Sequence, residues 1–228
     1  MEKKYPNHVA VIPDGCRRWA KEKGMLPWEG HKRGIEVIEE IMPWFVETYP
    51  TKYMTGYGLS IENFNRAKDQ LEALSLLYSK HLKRVSTDPR THENEARIQV
   101  IGRVDLLPRR VQDAIKEAEE ATKHYDKHVY NLALAYSGRM EIIDAVNKIK
   151  ENGGEISEEN ISKNLYNPAA PEPDLLIRTS EKRVSNFLLW QGAYTELYFL
   201  DKYWPDITKE DIAAAMEDFA ERQRRYGK

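Results

Sequence analysis

The stretch His8-Val9-Ala10-Val11-Ile12, halted by Pro13-Asp14-Gly15, sets the reading of the whole chain. A short unbroken apolar run closed by turn residues predicts a buried strand and the turn that ends it. After Gly15, Ile35, Ile38, Ile41, Met42, Phe45 and Tyr49 recur at helical spacing, and Tyr53 to Tyr57 is a short aromatic second strand. Leu71, Leu74, Leu77, Tyr78, Leu82 and Val85 mark a longer amphipathic helix. Arg97 to Ile101 is a third strand, and Pro108 heads a helix over Arg109 to His124, a position where proline is at home. Val129 to Ala135 is a fourth strand, followed by a helix over Met140 to Ile149. Leu175-Leu176-Ile177 and Leu197-Tyr198-Phe199 are the fifth and sixth strands, and Asp211 to Arg225 closes the chain as a charged helix.

Strands that alternate with helices predict an α/β fold, a mostly parallel six-stranded sheet flanked by helices on both faces. A length of 228 residues suits one domain over 1–228, and no internal repeat or low-complexity linker divides it. Glu151-Asn152-Gly153-Gly154 and the stretch from Pro168 to Pro173 are surface loops rather than boundaries. Apolar residues at 41% and charged residues at 32% describe a globular chain, not a disordered one. Lys and Arg (35) nearly balance Asp and Glu (37), so no global field draws in a polyanion and no nucleic-acid partner is expected. The single cysteine, Cys16, leaves no internal disulfide framework and predicts a reducing, cytoplasmic setting. Met1 to Pro6 lacks an apolar signal core, and no run approaches the ~18 continuous apolar residues of a spanning helix. A soluble protein is expected, with peripheral membrane contact at most.

The polar residues gather where ligands of parallel sheets bind, beyond the carboxyl ends of the strands. Strand one runs into Asp14-Gly15-Cys16-Arg17-Arg18-Trp19, and strand two into Ser60-Ile61-Glu62-Asn63-Phe64-Asn65-Arg66. Strand three ends at Gly102-Arg103, strand four at Ser137-Gly138-Arg139, and strand five at Arg178-Thr179-Ser180 with Arg183 and Ser185 just after. Glu196 introduces strand six. A lone arginine at a strand end is ordinarily a solvated helix-start residue. Five such ends describe a phosphate ligand, because guanidinium forks match phosphate oxygens and stay charged. Gly15 lets the backbone approach an anion at a helix N-terminus. Asp14, and Glu196 with it, are candidates for Mg²⁺, a hard ion held by one or two carboxylates plus phosphates. Asp14-Gly15 alone reads equally well as a helix cap. The nucleotide motifs GxxxxGK[ST] and GxGxxG are absent, so the diphosphate is not that of a nucleotide loop.

Five ordered segments carry a resemblance: His8 to Gly34, Tyr57 to Arg66, Asn131 to Ala145, Pro173 to Pro205, and Arg224-Arg225-Tyr226-Gly227. On these the chain resembles the cis-prenyltransferases, whose type members are the undecaprenyl and dehydrodolichyl diphosphate synthases. The resemblance implies a single catalytic domain that joins an allylic prenyl diphosphate to isopentenyl diphosphate with Mg²⁺, giving a Z-configured polyprenyl diphosphate for glycosyl-carrier lipid synthesis. Asp14 would hold Mg²⁺, and Gly15, Cys16, Arg17, Arg18 and His31 would cradle the allylic diphosphate with Trp19 flanking it. Ser60, Ile61, Glu62, Asn63, Phe64 and Arg66 would lie over the reacting carbons, with Asn63 at the proton-transfer step. Arg178, Arg183, Val184 and Ser185 would grip the second diphosphate. Glu196 would complete the metal site from the neighbourhood of another subunit, since the family works as dimers and its Arg-x-Gly tail (Arg225-Tyr226-Gly227) crosses the interface.

Three departures touch substrate handling. Cys16 stands where the family usually has Asn, Pro27 where many relatives carry a diphosphate-binding Arg, and the stretch Thr179-Ser180-Glu181-Lys182-Arg183 is one residue short. With no second Cys and no partner cluster, Cys16 reads as a lost amide rather than a ligand or nucleophile. These changes raise relaxed acceptor choice, with another prenyl diphosphate or a hydroxyl group as acceptor, an irregular or oxygen-directed transferase. The other rival is a supporting subunit of a heteromer, against which stand the retained Asp14, Arg18, Asn63, Arg178, Arg183, Ser185 and Glu196.

Overall fold

The computed structural model describes residues 3–222. The opening apolar run is strand β1 (His8–Ile12), joined in one sheet by β2 (Tyr53–Ser60), β3 (Ala96–Ile101), β4 (His128–Tyr136), β5 (Leu175–Thr179) and β6 (Glu196–Leu200). The order is β3-β4-β2-β1-β5-β6, and every neighbouring pair is parallel. The sheet is therefore wholly parallel, where the sequence had suggested mostly so. The helices are α1 (Cys16–Glu22), α2 (Pro27–Thr48), α3 (Lys68–Thr87), α4 (Pro89–Glu93), α5 (Arg109–Thr122), α6 (Gly138–Glu151), α7 (Glu158–Asn164) and α8 (Lys209–Glu221). The short α4 and α7 escaped the sequence reading because five and seven residues, one to two turns, are too few to repeat the helical spacing. The expected end of the last helix at Arg225, and the Arg224-Arg225-Tyr226-Gly227 tail, lie outside the described residues.

Alternation along the central strands sorts side chains into two layers. Val9, Leu175 and Ile177 pack with Val37, Ile41 and Phe45 of α2 and with Met216 and Phe219 of α8. Ala10, Ile12 and Leu176 belong instead to a cluster with Phe187 and Leu188. Leu132, Leu134 and Ile98 pack with Leu74 and Leu82 of α3 and Val111 and Ile115 of α5. Both faces of β1 and β5 are thus out of water, which is why their sequences are nearly continuous apolar runs.

Strand β2 continues three residues past the expected Tyr57. Tyr57 opposes Ala133 and Leu59 opposes Leu134, so Gly58 is an extra residue that bulges the strand. A side chain on Gly58 would meet Leu134 at 2.8 Å and Leu132 at 3.0 Å. The sheet's own packing demands the glycine.

At the amino end of the sheet a buried polar chain fixes neighbouring strands. His8 Nδ1–H donates to the Pro171 carbonyl at 2.6 Å, and the Thr55 hydroxyl donates to Nε2 at 2.7 Å. Asn131 Nδ2 donates to Thr55 Oγ1 at 3.1 Å, and Asn167 Nδ2 to Asn131 Oδ1 at 2.8 Å. Burial pushes the His8 imidazole down to about 4. The unfolded chain therefore binds a proton the folded one refuses. Stability should be full above about pH 6.5 and fall as pH drops toward 4, by about 2 kcal/mol at pH 5 from this group alone. Urea unfolding at pH 7 and pH 5 measures this, with His8→Asn expected to flatten the dependence; equal slopes in the two proteins would contradict it.

Candidate active site

The site is built on the turn after β1. Gly15 adopts φ +98°, and a Cβ there would lie 2.2 Å from Ser180 Oγ and 2.5 Å from Tyr203 Cδ1, so only glycine fits. The turn is locked to β5: the Asp14 N–H donates to Thr179 Oγ1 at 2.9 Å, and the same hydroxyl donates to the Asp14 carbonyl at 2.8 Å. The Asp14 carboxylate then faces outward, accepting from the Gly15 N–H at 2.7 Å and from Arg178 Nη2 at 2.9 Å, with Arg18 Nη2 at 3.4 Å.

Arg178 is only 3% exposed. Its Nη1 donates to the Ser185 hydroxyl at 2.5 Å and to the Arg183 carbonyl, while its Nε has no partner among the described residues. The loop that supplies these acceptors is strained. Ser180, Ser185, Asn186 and Leu188 all have positive φ, a conformation that costs non-glycine residues on the order of 1–3 kcal/mol each and collects at functional sites. Glu181, on the same loop, accepts from Arg18 Nη1 at 2.8 Å and from Arg183 Nη1 at 2.8 Å. One carboxylate thus holds guanidinium groups brought from α1 and from beyond β5.

Around these residues lies a cavity of about 610 Å³. Its polar end carries six cationic side chains, Arg17, Arg18, Lys21, Arg66, Arg178 and Arg183, against the carboxylates of Asp14 and Glu181. Ser60 and Asn63, joined by an Asn63 Nδ2 to Ser60 Oγ bond of 2.7 Å, close one side. His31 lies at the same end with Nε2 buried and unpartnered among the described residues; burial, with Arg66 and Arg17 nearby, pushes its imidazole down to about 4. Burial likewise lowers Arg66, with Arg17 adding to it. The other end is apolar, lined by Ile35, Ile38, Leu74, Tyr78, Tyr130 and Leu132. The cavity pairs an anion-binding mouth with a hydrocarbon floor.

The structure brings together Asp14, Gly15, Cys16, Arg17, Arg18, His31, Ser60, Asn63, Arg66, Arg178, Arg183 and Ser185 on this cavity. Trp19 turns away instead: its Nε1–H donates to Asp206 at 2.7 Å. Glu62 accepts from Asn186 at 2.9 Å, Phe64 packs with the α3–α5 core, and Val184 packs against the cluster of Tyr57 and Phe187. Those three, like Ile61, support the loops rather than line the cavity. Glu196 begins β6 opposite Leu175, whereas Asp14 follows Ile12, which sits opposite Arg178. Within one chain the two carboxylates lie at opposite ends of the sheet, and Glu196 is held by Arg222 at 2.8 Å. Arg103 is likewise drawn off, paired through two nitrogens with Asp144 of α6.

Cys16 is buried with its thiol toward the Pro13 carbonyl, 3.9 Å away, and burial pushes that thiol up to about 12. A proton-retaining thiol is neither nucleophile nor ligand at neutral pH. Pro27 is the first residue of α2, where its missing N–H is no loss. Two residues the sequence reading passed over matter here. Glu181, flanked in sequence by Arg178 and Arg183, could have been found as a carboxylate inside an arginine cluster. Asn186 joins three strand-end loops, donating to Glu62 and to Ser137 Oγ at 2.7 Å and accepting from the Arg139 N–H; nothing in its spacing betrays this.

Comparison with known proteins agrees with the geometry. The prenyltransferase family model for undecaprenyl diphosphate synthases matches residues 12–227. The chain is 46% identical to the geranylgeranyl-diphosphate-specific tritrans,polycis-undecaprenyl-diphosphate synthase of Pyrococcus abyssi, over 98% of this chain and 87% of that one. It is 44% identical to an isoprenyl transferase of Fusobacterium nucleatum over 100% and 98% of the two chains. Lavandulyl diphosphate synthase from Lavandula x intermedia, solved with dimethylallyl diphosphate, superposes with a TM-score of 0.91 at 34% identity, covering 98% and 99%. The chain belongs to the undecaprenyl diphosphate synthase family of cis-prenyltransferases.

Because Glu181 neutralises two arginines of the mouth, an arriving anion has to displace it. Glu181→Gln should bind inorganic pyrophosphate without metal roughly 3- to 10-fold more tightly, since two partly exposed ion pairs no longer compete. Isothermal titration calorimetry at low ionic strength reads this directly; equal or weaker binding by the variant would show that Glu181 does not occupy the anion site.

Proposed function

We propose that this protein condenses an allylic prenyl diphosphate with isopentenyl diphosphate, giving a Z-configured polyprenyl diphosphate that serves as a glycosyl-carrier lipid. The observation that carries the reading is the two-ended cavity, in which six cations face one end and hydrocarbon the other. Each methylene of a prenyl tail buried there contributes roughly 0.8 kcal/mol, so even a short allylic tail anchors well. The named relatives are diphosphate synthases and a prenyl transferase, which favours regular condensation over the oxygen-directed and supporting-subunit alternatives.

Arg17, Arg18 and Arg66 would meet the allylic diphosphate, and their charge counts most as the C–O bond ionises and negative charge gathers on the leaving group. Arg178, Arg183 and Ser185 would hold the second diphosphate and aim its double bond at the allylic carbon. Asn63 and Ser60, bonded to each other, would orient the groups at the step where a proton leaves the new bond. A neutral amide is a weak base, so a diphosphate oxygen is the better acceptor, with Asn63 as its positioner. The donor set suits Mg²⁺: the Asp14 carboxylate faces the cavity beside the diphosphate-binding arginines, and Mg²⁺ is commonly held by one or two carboxylates together with phosphate oxygens. Mg²⁺ held by Asp14 would neutralise charge on the departing diphosphate.

We read the working unit as a homodimer. Edge strand β6 leaves Leu197 38% exposed and the nearby Tyr194 69% exposed, and Glu196 beside them lies too far from its own Asp14 to share an ion. Glu196 would serve the site of a second copy. The protein would act from the cytoplasm, meeting a membrane peripherally through its product; no helix among the described residues is long and apolar enough to cross one.

Incubation with Mg²⁺, a labelled allylic diphosphate such as farnesyl or geranylgeranyl diphosphate, and isopentenyl diphosphate should yield chains growing by C5 units. Asp14→Asn should lower the rate by about 10²–10³-fold. Absence of elongation by the wild-type protein with every allylic substrate would overturn the reading. A separate mixing experiment examines the dimer: Asp14→Asn and Glu196→Gln, each nearly inactive alone, should recover about a quarter of wild-type activity when co-expressed, because half the dimers are mixed and each carries one intact site. No recovery, with mixed dimers verified by differential tags, would place Glu196 outside the partner's site.

A further inference from the structure

Two turns of the site carry cavity-lining residues whose next neighbours in the chain are bonded to each other. Asn63 lies on the 3₁₀ turn Ile61–Asn65 that follows β2, and Ser185 lies on the strained loop after β5. Glu62 precedes Asn63, Asn186 follows Ser185, and Asn186 Nδ2 donates to Glu62 Oε1 at 2.9 Å. The rest of Asn186 is fixed from α6. Nδ2 also donates to Ser137 Oγ at 2.7 Å, Oδ1 accepts from the Arg139 N–H at 3.0 Å, and the Asn186 carbonyl accepts from the Gly138 N–H at 2.8 Å. Gly138 comes so close that a Cβ there would lie 2.9 Å from that carbonyl oxygen. Both donors and the amide oxygen are thus engaged, which leaves the side chain one direction. Asn186 has φ +62°, a left-handed conformation that asparagine adopts more readily than most residues. The next residue, Phe187, is buried and stacks on Tyr57 of β2, with ring centroids 4.5 Å apart and planes 8° apart.

The proposed chemistry gives this tie a purpose. Condensation joins a carbon of the allylic substrate, beside Ser60 and Asn63, to a carbon of the substrate whose diphosphate Arg178, Arg183 and Ser185 would grip. The two carbons have to approach to about 3–3.5 Å, and a misplacement near 1 Å costs about 10²-fold in rate. Resting on the condensation reading above, we infer that Asn186 is a positioning residue: it uses the start of α6 as a fixed base and, through Glu62, sets the loop of the second diphosphate and the turn of Asn63 in one register. Neither Asn186 nor Glu62 lines the cavity, so both act through Ser185 and Asn63 and not on substrate.

Asn186→Asp isolates the tie. Its carboxylate still accepts from the Arg139 N–H, the Ser137 hydroxyl can turn to donate to it, and a negative charge at a helix N-terminus is favourable. The seat on α6 therefore survives, while the bond to Glu62 becomes a meeting of like charges. Steady-state kinetics with Mg²⁺ and each substrate varied should show kcat lowered by about 10- to 100-fold and the KM for isopentenyl diphosphate raised by about 3- to 10-fold. The KM for the allylic diphosphate should change by less than about 2-fold, since the arginines of α1 are untouched. Adding Glu62→Gln to Asn186→Asp restores the bond with donor and acceptor exchanged, and should raise kcat about 10-fold above that of Asn186→Asp alone. The double variant carries the same aspartate, so damage to the fold from that residue would persist in it, and recovery separates positioning from folding. Wild-type kinetics in Asn186→Asp would overturn the inference. So would an equal rise in both KM values, or no recovery in the double variant. Failure of the wild-type protein to condense the two substrates at all would count against the proposed function, and this inference would fall with it.

Discussion

Arg178 reaches from the carboxyl end of β5 to the Asp14 carboxylate beyond β1, almost wholly out of water, and the surrounding architecture is arranged to make that pair tolerable. A buried guanidinium is costly unless its donors are matched, and losing one partner of such a pair typically costs about 3–5 kcal/mol. Here the matching groups come from three sources: Asp14 across the strand, the Arg183 carbonyl and the Ser185 hydroxyl. The last two are available only because the loop after β5 accepts unfavourable backbone angles from Ser180 to Leu188. Thr179 completes the arrangement, its hydroxyl bonded both ways to the Asp14 backbone. Two strands adjacent in space but distant in sequence are thereby tied at the point where the chemistry occurs.

The same pair explains the electrostatic character of the cavity mouth. With six cations against two carboxylates, the mouth is strongly positive, and Asp14 and Glu181 each stand between two arginines. The carboxylates keep the guanidinium groups apart and oriented before any anion enters. A diphosphate is a better partner for those forks than a carboxylate is, since it offers more acceptor oxygens and more charge. Preorganisation of this kind lowers the reorganisation needed when charge develops on a leaving group.

Much of this could be read from the sequence because the relevant signals are local. The run His8 to Ile12 announces a doubly buried strand, and the arginines after strand ends announce an anion. Strand limits were less legible: the bulge at Gly58 extends β2, and only cross-strand packing against Leu132 and Leu134 reveals why a glycine sits there. Side-chain direction was not legible at all. Trp19, Arg103 and Phe64 lie at suitable positions in the chain yet are claimed by Asp206, Asp144 and the α3–α5 core. Asn186 was invisible for the opposite reason, since its partners come from two loops, after β2 and after β4, far from it and from each other in sequence.

The strand order carries a consequence for how the molecule comes into being. Strand β1 precedes the other five strands in the chain, yet it lies inside the sheet, with β2 on one side and β5, more than 160 positions downstream, on the other. A nascent chain can pair β1 with β2 early, but one edge of β1 stays unsatisfied until β5 has emerged. Long-range parallel pairing of this kind is slow and leaves an apolar edge open to wrong partners while it waits. Asp14 meets Arg178 only at the end of that wait, so a chain cut short of β5 carries five of the mouth's eight charged side chains and lacks the pair that ties them together.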